Sequence, residues 1–225
     1  MKKATIIIGF ILLLIIIGFF SPWFNWQLSF GRLIGLGAKD TASSLKVYSL
    51  VGDIEVYLNN EYQGTASSTE GNFEKTDIVP GNYEIKLKRK SEPEGAYFEL
   101  KRTIKFEDKI DVIISYELGP TQEFSEGHIL FAEKSYDTTD DTRLNITANP
   151  QGSKVFIDNN FIGEAPLTNI AVDTSSQKTI KLEKEGYDTI EFKILPENKE
   201  DREKLKGLTL NLEINMFLNP IKINN

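Results

Sequence analysis

Val56-Tyr57-Leu58-Asn59-Asn60-Glu61-Tyr62-Gln63-Gly64 and Val155-Phe156-Ile157-Asp158-Asn159-Asn160-Phe161-Ile162-Gly163 are two copies of one nine-residue unit, 99 residues apart. In each copy three apolar residues, the middle one aromatic, read as a strand. Asn or Asp followed by Asn supplies a tight hairpin turn, because these side chains tolerate left-handed backbone angles. A short return strand then ends on a glycine. The residue classes agree at nearly every step, which marks an internal repeat.

Both copies continue through a loop into an alternating strand, Tyr83-Glu84-Ile85-Lys86-Leu87-Lys88 in the first and Thr179-Ile180-Lys181-Leu182-Glu183-Lys184 in the second. Period-two alternation puts one face on a core and the other in water. Tyr97 to Phe106 and Ile110 to Glu117 close the first unit; Tyr187 to Leu195 and Leu208 to Leu218 close the second. Each unit then has about six short strands, which suits a small antiparallel sandwich. Glu197 to Lys206 lacks an apolar stripe and reads as an exposed loop or a single helical turn.

Upstream of the repeat, Ala4 to Phe20 is an unbroken apolar run. A membrane span needs about 20 apolar residues, with a lower limit near 17. Trp23, Phe24 and Trp26 extend the run into the interfacial aromatic belt, and Lys2 and Lys3 place the N-terminus in the cytoplasm. A cleaved signal peptide is the rival reading, but Phe19-Phe20-Ser21-Pro22-Trp23 suits a peptidase poorly. Leu28, Phe30, Leu33, Ile34 and Leu36 form either an amphipathic stretch on the membrane surface or a continuation of the helix.

The expected fold is therefore mainly β: two small antiparallel β-sandwich domains in tandem, preceded by one transmembrane helix. The boundaries read 1–26 for a signal-anchor, 27–44 for a juxtamembrane linker, 45–118 for the first β domain, 119–142 for a linker and 143–225 for the second.

Composition narrows the function. Net charge over the 225 residues is −7, and an acidic surface repels phosphate backbones, so nucleic acid is not expected as a partner. The chain has no cysteine, which removes disulfides, thiolate metal sites and thiol nucleophiles; a single histidine, His128, excludes any site needing two imidazoles.

The second copy resembles the PEGA domain family. The resemblance lies in Pro150-Gln151-Gly152-Ser153 before the strand, Asp158 at the turn, Gly163-Glu164-Ala165-Pro166 after it, and Lys184-Glu185-Gly186-Tyr187. Ser153 stands where the family usually has alanine, and Asn159 where it usually has a turn glycine. The first copy is degenerate. It keeps Gly52, the Asn59-Asn60 turn, Gly64 and Pro80-Gly81, but lacks the opening proline and the proline after Gly64. Pro93-Glu94-Gly95-Ala96 spells the family name, but no hairpin turn follows it at the right distance, so it reads as a loop. The resemblance implies small β-sandwich modules of envelope proteins with a scaffold or binding role, and no catalytic residue to carry over.

Other constellations are weaker. Asp137, Asp140 and Asp141 match no calcium-loop spacing and read as a solvated linker. Glu123, Glu126, His128 and Glu133 flank Ile129-Leu130-Phe131 without a nucleophile, and read as an extra strand or linker packing one unit on the other. Asn145-Ile146-Thr147 is a glycosylation pattern. Tyr57, Tyr62, Tyr83, Tyr97, Phe156, Phe161 and Tyr187 are either core fillers or sugar-stacking rings, with Tyr62 and Phe161 the candidates for ligand contact. No residue reads as catalytic, cofactor-binding or metal-ligating. The expectation is a single-pass membrane protein whose extracytoplasmic part binds or scaffolds envelope polysaccharide or protein. The alternative is an accessory subunit or spacer docking onto a membrane complex, and a wall hydrolase is the weakest reading.

Overall fold

The computed structural model describes residues 43–135 and 141–219. The expected membrane segment at 4–20 and nearly all of the juxtamembrane stretch lie outside the described residues. Among the described residues no helix is long and apolar enough to cross a membrane.

The first repeat builds seven strands: β1 (Ser43–Ser49), β2 (Asp53–Leu58), β3 (Glu61–Ser67), β4 (Phe73–Ile78), β5 (Gly81–Arg89), β6 (Leu100–Phe106) and β7 (Val112–Glu117). An additional strand, β8 (Glu126–Lys134), follows. The second repeat builds β9 (Thr142–Asn149), β10 (Lys154–Ile157), β11 (Asn160–Glu164), β12 (Leu167–Val172), β13 (Lys178–Glu183), β14 (Ile190–Ile194) and β15 (Leu208–Asn215). One short helix, α1 (Lys199–Glu203), precedes β15 and is capped by Asn198, whose Oδ1 accepts from the Glu200 amide.

The two repeats pair their strands in the same order. One four-stranded sheet runs β3-β2-β5-β6 and the other β11-β10-β13-β14. The remaining strands form a single seven-stranded sheet, β12-β9-β15-β8-β7-β1-β4. β1 runs parallel to β7 and β9 parallel to β15. This corrects the purely antiparallel expectation: the chain leaves the shared sheet, builds the covering sheet, and returns to lie beside the strand it left, which is a crossover and gives a parallel pair.

Within the expected linker 119–142 lies β8, the extra-strand alternative read around Ile129-Leu130-Phe131. It pairs antiparallel with β7 on one side and β15 on the other. Its apolar run has a physical reason. Ile129 and Phe131 pack into a core with Leu45, Ile54, Leu87 and Ile114, whereas Leu130 and Ala132 pack into a second core with Leu144, Ile180, Leu182 and Leu212. Alternate residues of a strand point to opposite faces, so the two cores lie on opposite faces of the shared sheet. A strand covered on both sides reads as continuously hydrophobic. The described residues form one compact unit accordingly.

Each half of the shared sheet thus has one covered and one uncovered face. On the covered faces Leu45, Val47 and Ile114 and their counterparts Leu144, Ile146 and Leu212 are fully or almost fully buried. Each such side chain contributes about 1.5–3 kcal/mol. Glu197 to Lys206 is not simply an exposed loop, since Arg202 within it is buried.

Candidate functional site

The repeated hairpins fold alike in detail. Asn59 and Asn60 sit at φ 49° and 64°, Asp158 and Asn159 at 49° and 65°. Left-handed angles at both central residues define the turn whose twist matches paired strands, which is why Asn and Asp occupy it. The first turn residue also clamps the next strand. The Glu84 amide donates to Asn59 Oδ1 at 2.9 Å, and the Thr179 amide to Asp158 Oδ1 at 2.9 Å. The Asn59 and Asp158 amides return bonds to the Glu84 and Thr179 carbonyls at 2.8 and 2.9 Å. The Thr179 amide, with help from Lys178 at 3.3 Å, holds the Asp158 carboxyl below the usual carboxylate range.

Past each turn a bulge resets the register, between Val56 and Tyr57 in one copy and Val155 and Phe156 in the other. Gly64 and Gly163 close it at φ 155° and 153°. A Cβ on Gly64 would lie 2.7 Å from the Phe73 ring, and one on Gly163 3.0 Å from Leu167, so both glycines let a covering side chain sit against the hairpin.

The consequence is a duplicated aromatic surface. With Val56 and Val155 pointing into the cores, Tyr57 and Phe156 stand on the outer faces of the two four-stranded sheets. Tyr57 meets Tyr62 with ring centroids 5.6 Å apart, and Phe156 meets Phe161 at 5.6 Å. Lys86 lies 4.5 Å over Tyr57, and Lys181 lies 4.6 Å over Phe156. Tyr62 and Phe161 are each 57% exposed, so the outer ring of each pair is presented to solvent. Neither lysine was singled out in the sequence, although both stand in an identical Ile-Lys-Leu step at matching strand positions.

The remaining candidates fall into structural roles. Pro150, Gly152 and Ser153 form the β9–β10 turn: Ser153 Oγ donates to the Pro150 carbonyl at 2.7 Å and the Gly152 amide to the Ala165 carbonyl at 2.8 Å. Gly152 lies at φ 71° and Gly52, its counterpart, at 75°. Pro166 follows buried Ala165, and the Gly186 carbonyl accepts from the Asn219 amide at 3.0 Å. Tyr187 packs against the second core. Tyr83 packs edge-on against buried Phe106, and Tyr97 lies under Arg89.

Asn145 donates to Asn211 at 2.9 Å and accepts from the Asn169 amide at 2.9 Å, so it belongs to a polar ladder on the uncovered face of β9 and β15. Asn149 donates to Asn215 in the same ladder, at 2.7 Å. Asp141 pairs with Arg143 at 3.5 Å, while Asp137 and Asp140 lie outside the described residues. Among the described residues no three His, Asp or Glu side chains come together as a metal-ligand set.

The acidic residues around His128 do not converge on it. Glu123 accepts from the Thr121 hydroxyl at 2.7 Å and Glu133 from Asn211 at 3.1 Å. His128 instead stacks flat on Phe192, with centroids 3.8 Å apart, where β14 overhangs β8. Burial there pushes the imidazole down to about 4. Between pH 6.5 and about 4 the unfolded chain therefore binds a proton that the folded chain refuses, so stability falls as pH falls through that window. The loss attributable to His128 is about 3 kcal/mol. Chemical denaturation of His128→Phe at pH 7 and pH 4.5 checks this. The variant should lose less stability over that interval than the parent, and equal losses would show that His128 is not the titrating group.

Residues 142–211 match the profile of the PEGA domain. That span starts at β9 and ends within β15, so it takes in the second aromatic hairpin and nearly all of the second repeat. No curated protein matches the chain.

Proposed function

We propose that the chain is a non-catalytic, membrane-anchored protein of the cell envelope, in which two PEGA-like modules present paired aromatic surfaces to extracytoplasmic polysaccharide or protein. In this reading residues 4–20 cross the membrane with the N-terminus in the cytoplasm, and the first repeat is a second, degenerate PEGA-like copy. The shared strand order supports the duplication. The observation that carries the binding role is the repeated exposed ring: Tyr62 and Phe161 occupy matching positions, each backed by a second ring and a lysine. A ring needed only for packing would be buried rather than held 57% open twice over.

The test is retention of residues 41–225 on isolated envelope polysaccharide and, separately, on detergent-solubilised membrane proteins. Retention on polysaccharide that Tyr62→Ala/Phe161→Ala removes supports a polymer-binding module. Specific recovery of one membrane protein, lost in the same variant, makes the rings a docking surface for a complex. Retention unaffected by the double variant refutes the assignment of the rings.

A further inference from the structure

We propose that the cleft between the uncovered face of β1 and β7 and the overhanging β14–α1 edge binds an acidic sugar residue, with Lys109 and Lys193 holding its anionic group. The cleft has a volume of about 380 Å³, within the size range of small-ligand sites. Its saccharide character rests on the envelope-binding reading above; its anionic character rests on the cleft itself.

The two halves of the molecule make the argument by their difference. β6 overhangs the uncovered face of β9 and β15 just as β14 overhangs that of β1 and β7. Beneath β6, Arg102 reaches Glu213 at 2.9 Å and the cleft is only about 150 Å³. The register of the strands places Phe192 where the other half has Arg102, and Ser115 where it has Glu213. Phe192 turns onto His128 instead, and no ion pair closes the gap. The asparagine ladder that satisfies the uncovered face of β9 and β15 also has no equivalent. Lys46 and Ile113 stand at the positions of Asn145 and Asn211.

The open cleft is cationic in an acidic chain. Lys46, Lys109, Lys193 and Lys204 line it against two carboxylates, Asp111 and Asp201. Both carboxylates are committed, Asp111 to Lys46 at 2.5 Å and Asp201 to Lys204 at 2.5 Å. Lys109 and Lys193 are exposed and have no anionic partner among the described residues. Burial keeps His128 on the cleft wall neutral at pH 7. The surplus charge therefore attracts an anion, while Ile113, Leu195 and the 40%-exposed ring of Tyr48 offer an apolar surface for the face of a sugar ring.

Titration calorimetry of residues 41–225 with tetragalacturonate and with glucose 6-phosphate separates a carboxylate from a phosphate ligand, and fully methyl-esterified tetragalacturonate is the uncharged control. Saturable, salt-sensitive binding of either acidic probe is expected, with the ester at least tenfold weaker. Lys109→Ala/Lys193→Ala should lower the affinity roughly tenfold or more, since each removes a bond to a charged group. Both side chains are exposed, so the fold should survive, and an unchanged melting temperature verifies this. Tyr62→Ala/Phe161→Ala should leave binding of the acidic probe unchanged, which separates this site from the hairpins. Absence of binding by both acidic probes, or undiminished binding by the lysine double variant, overturns the proposal while leaving the hairpin reading intact.

Discussion

Replacing Arg202 with alanine is expected to destabilise the β body by about 3 kcal/mol, a fall in melting temperature of about 6–12 °C for a domain of this size. The guanidinium is buried and forms no ion pair among the described residues. Its donors go to four backbone carbonyls: Thr174 at 3.0 Å, Ser175 at 3.1 Å, Pro196 at 2.9 Å and Glu197 at 2.5 Å. The first two belong to the β12–β13 loop and the last two to the segment entering α1, so one side chain ties two loops together. Truncation leaves four acceptors in a partly buried site with no donor. Lysine should not rescue, because a single ammonium on a flexible stem cannot span both pairs of carbonyls. Thermal unfolding of residues 41–225 measures both variants. A lysine variant as stable as the parent would show that only the charge matters.

Gly127→Ala is the second large effect, expected at about 4 kcal/mol. Gly127 opens β8 opposite Tyr116 of β7, at φ 153°. An added Cβ would lie 2.3 Å from the Ser115 carbonyl oxygen and 2.7 Å from Tyr116 Cα. These are backbone atoms, so relief requires moving β7 away from the strand that joins the two halves. Gly95→Ala is the control. It lies at φ 80° with open space around its Cβ position, so it carries only the conformational cost of a left-handed alanine, about 1–2 kcal/mol. Calorimetry should show the large loss at Gly127 as a shift of one transition, because both cores include residues of β8. Two separate transitions would mean that the halves unfold independently.

The hairpins were legible because their signals are local. Asn-Asn and Asp-Asn turns, the glycine at each bulge, and the Ile-Lys-Leu step all lie within a few residues of what they shape. The shared sheet was not, because its decisive pairings join residues far apart. Leu45 pairs with Val112 and Leu144 with Leu210, and no local pattern announces a parallel partner. β8 was half legible: Ile129-Leu130-Phe131 stood out as apolar, but only two cores on opposite faces explain why it does not alternate. The helical turn at α1 was legible as one alternative, but the burial of Arg202 was not, because its neighbours carry no apolar stripe and its partners are backbone carbonyls, which no sequence pattern marks. The cleft was invisible for a related reason. Lys46, Lys109 and Lys193 come from separate elements, and each alone reads as a surface charge.

Tyr62 and Phe161 stand at matching positions of the repeat, and each is 57% exposed. Behind each stands a second ring, Tyr57 or Phe156, with a lysine over that inner ring. Because the two cores lie on opposite faces of the shared sheet, the two aromatic surfaces face opposite ways, and each is a separate site.

The most direct measurement is the binding of residues 41–225 to isolated envelope polysaccharide, compared among the parent, Tyr62→Ala, Phe161→Ala and the double variant. Two separate hairpin sites predict that each single substitution removes about half of the binding capacity and that the double substitution reduces it to background. A double variant that binds as tightly as the parent would contradict the claim that the duplicated hairpins are the binding surface.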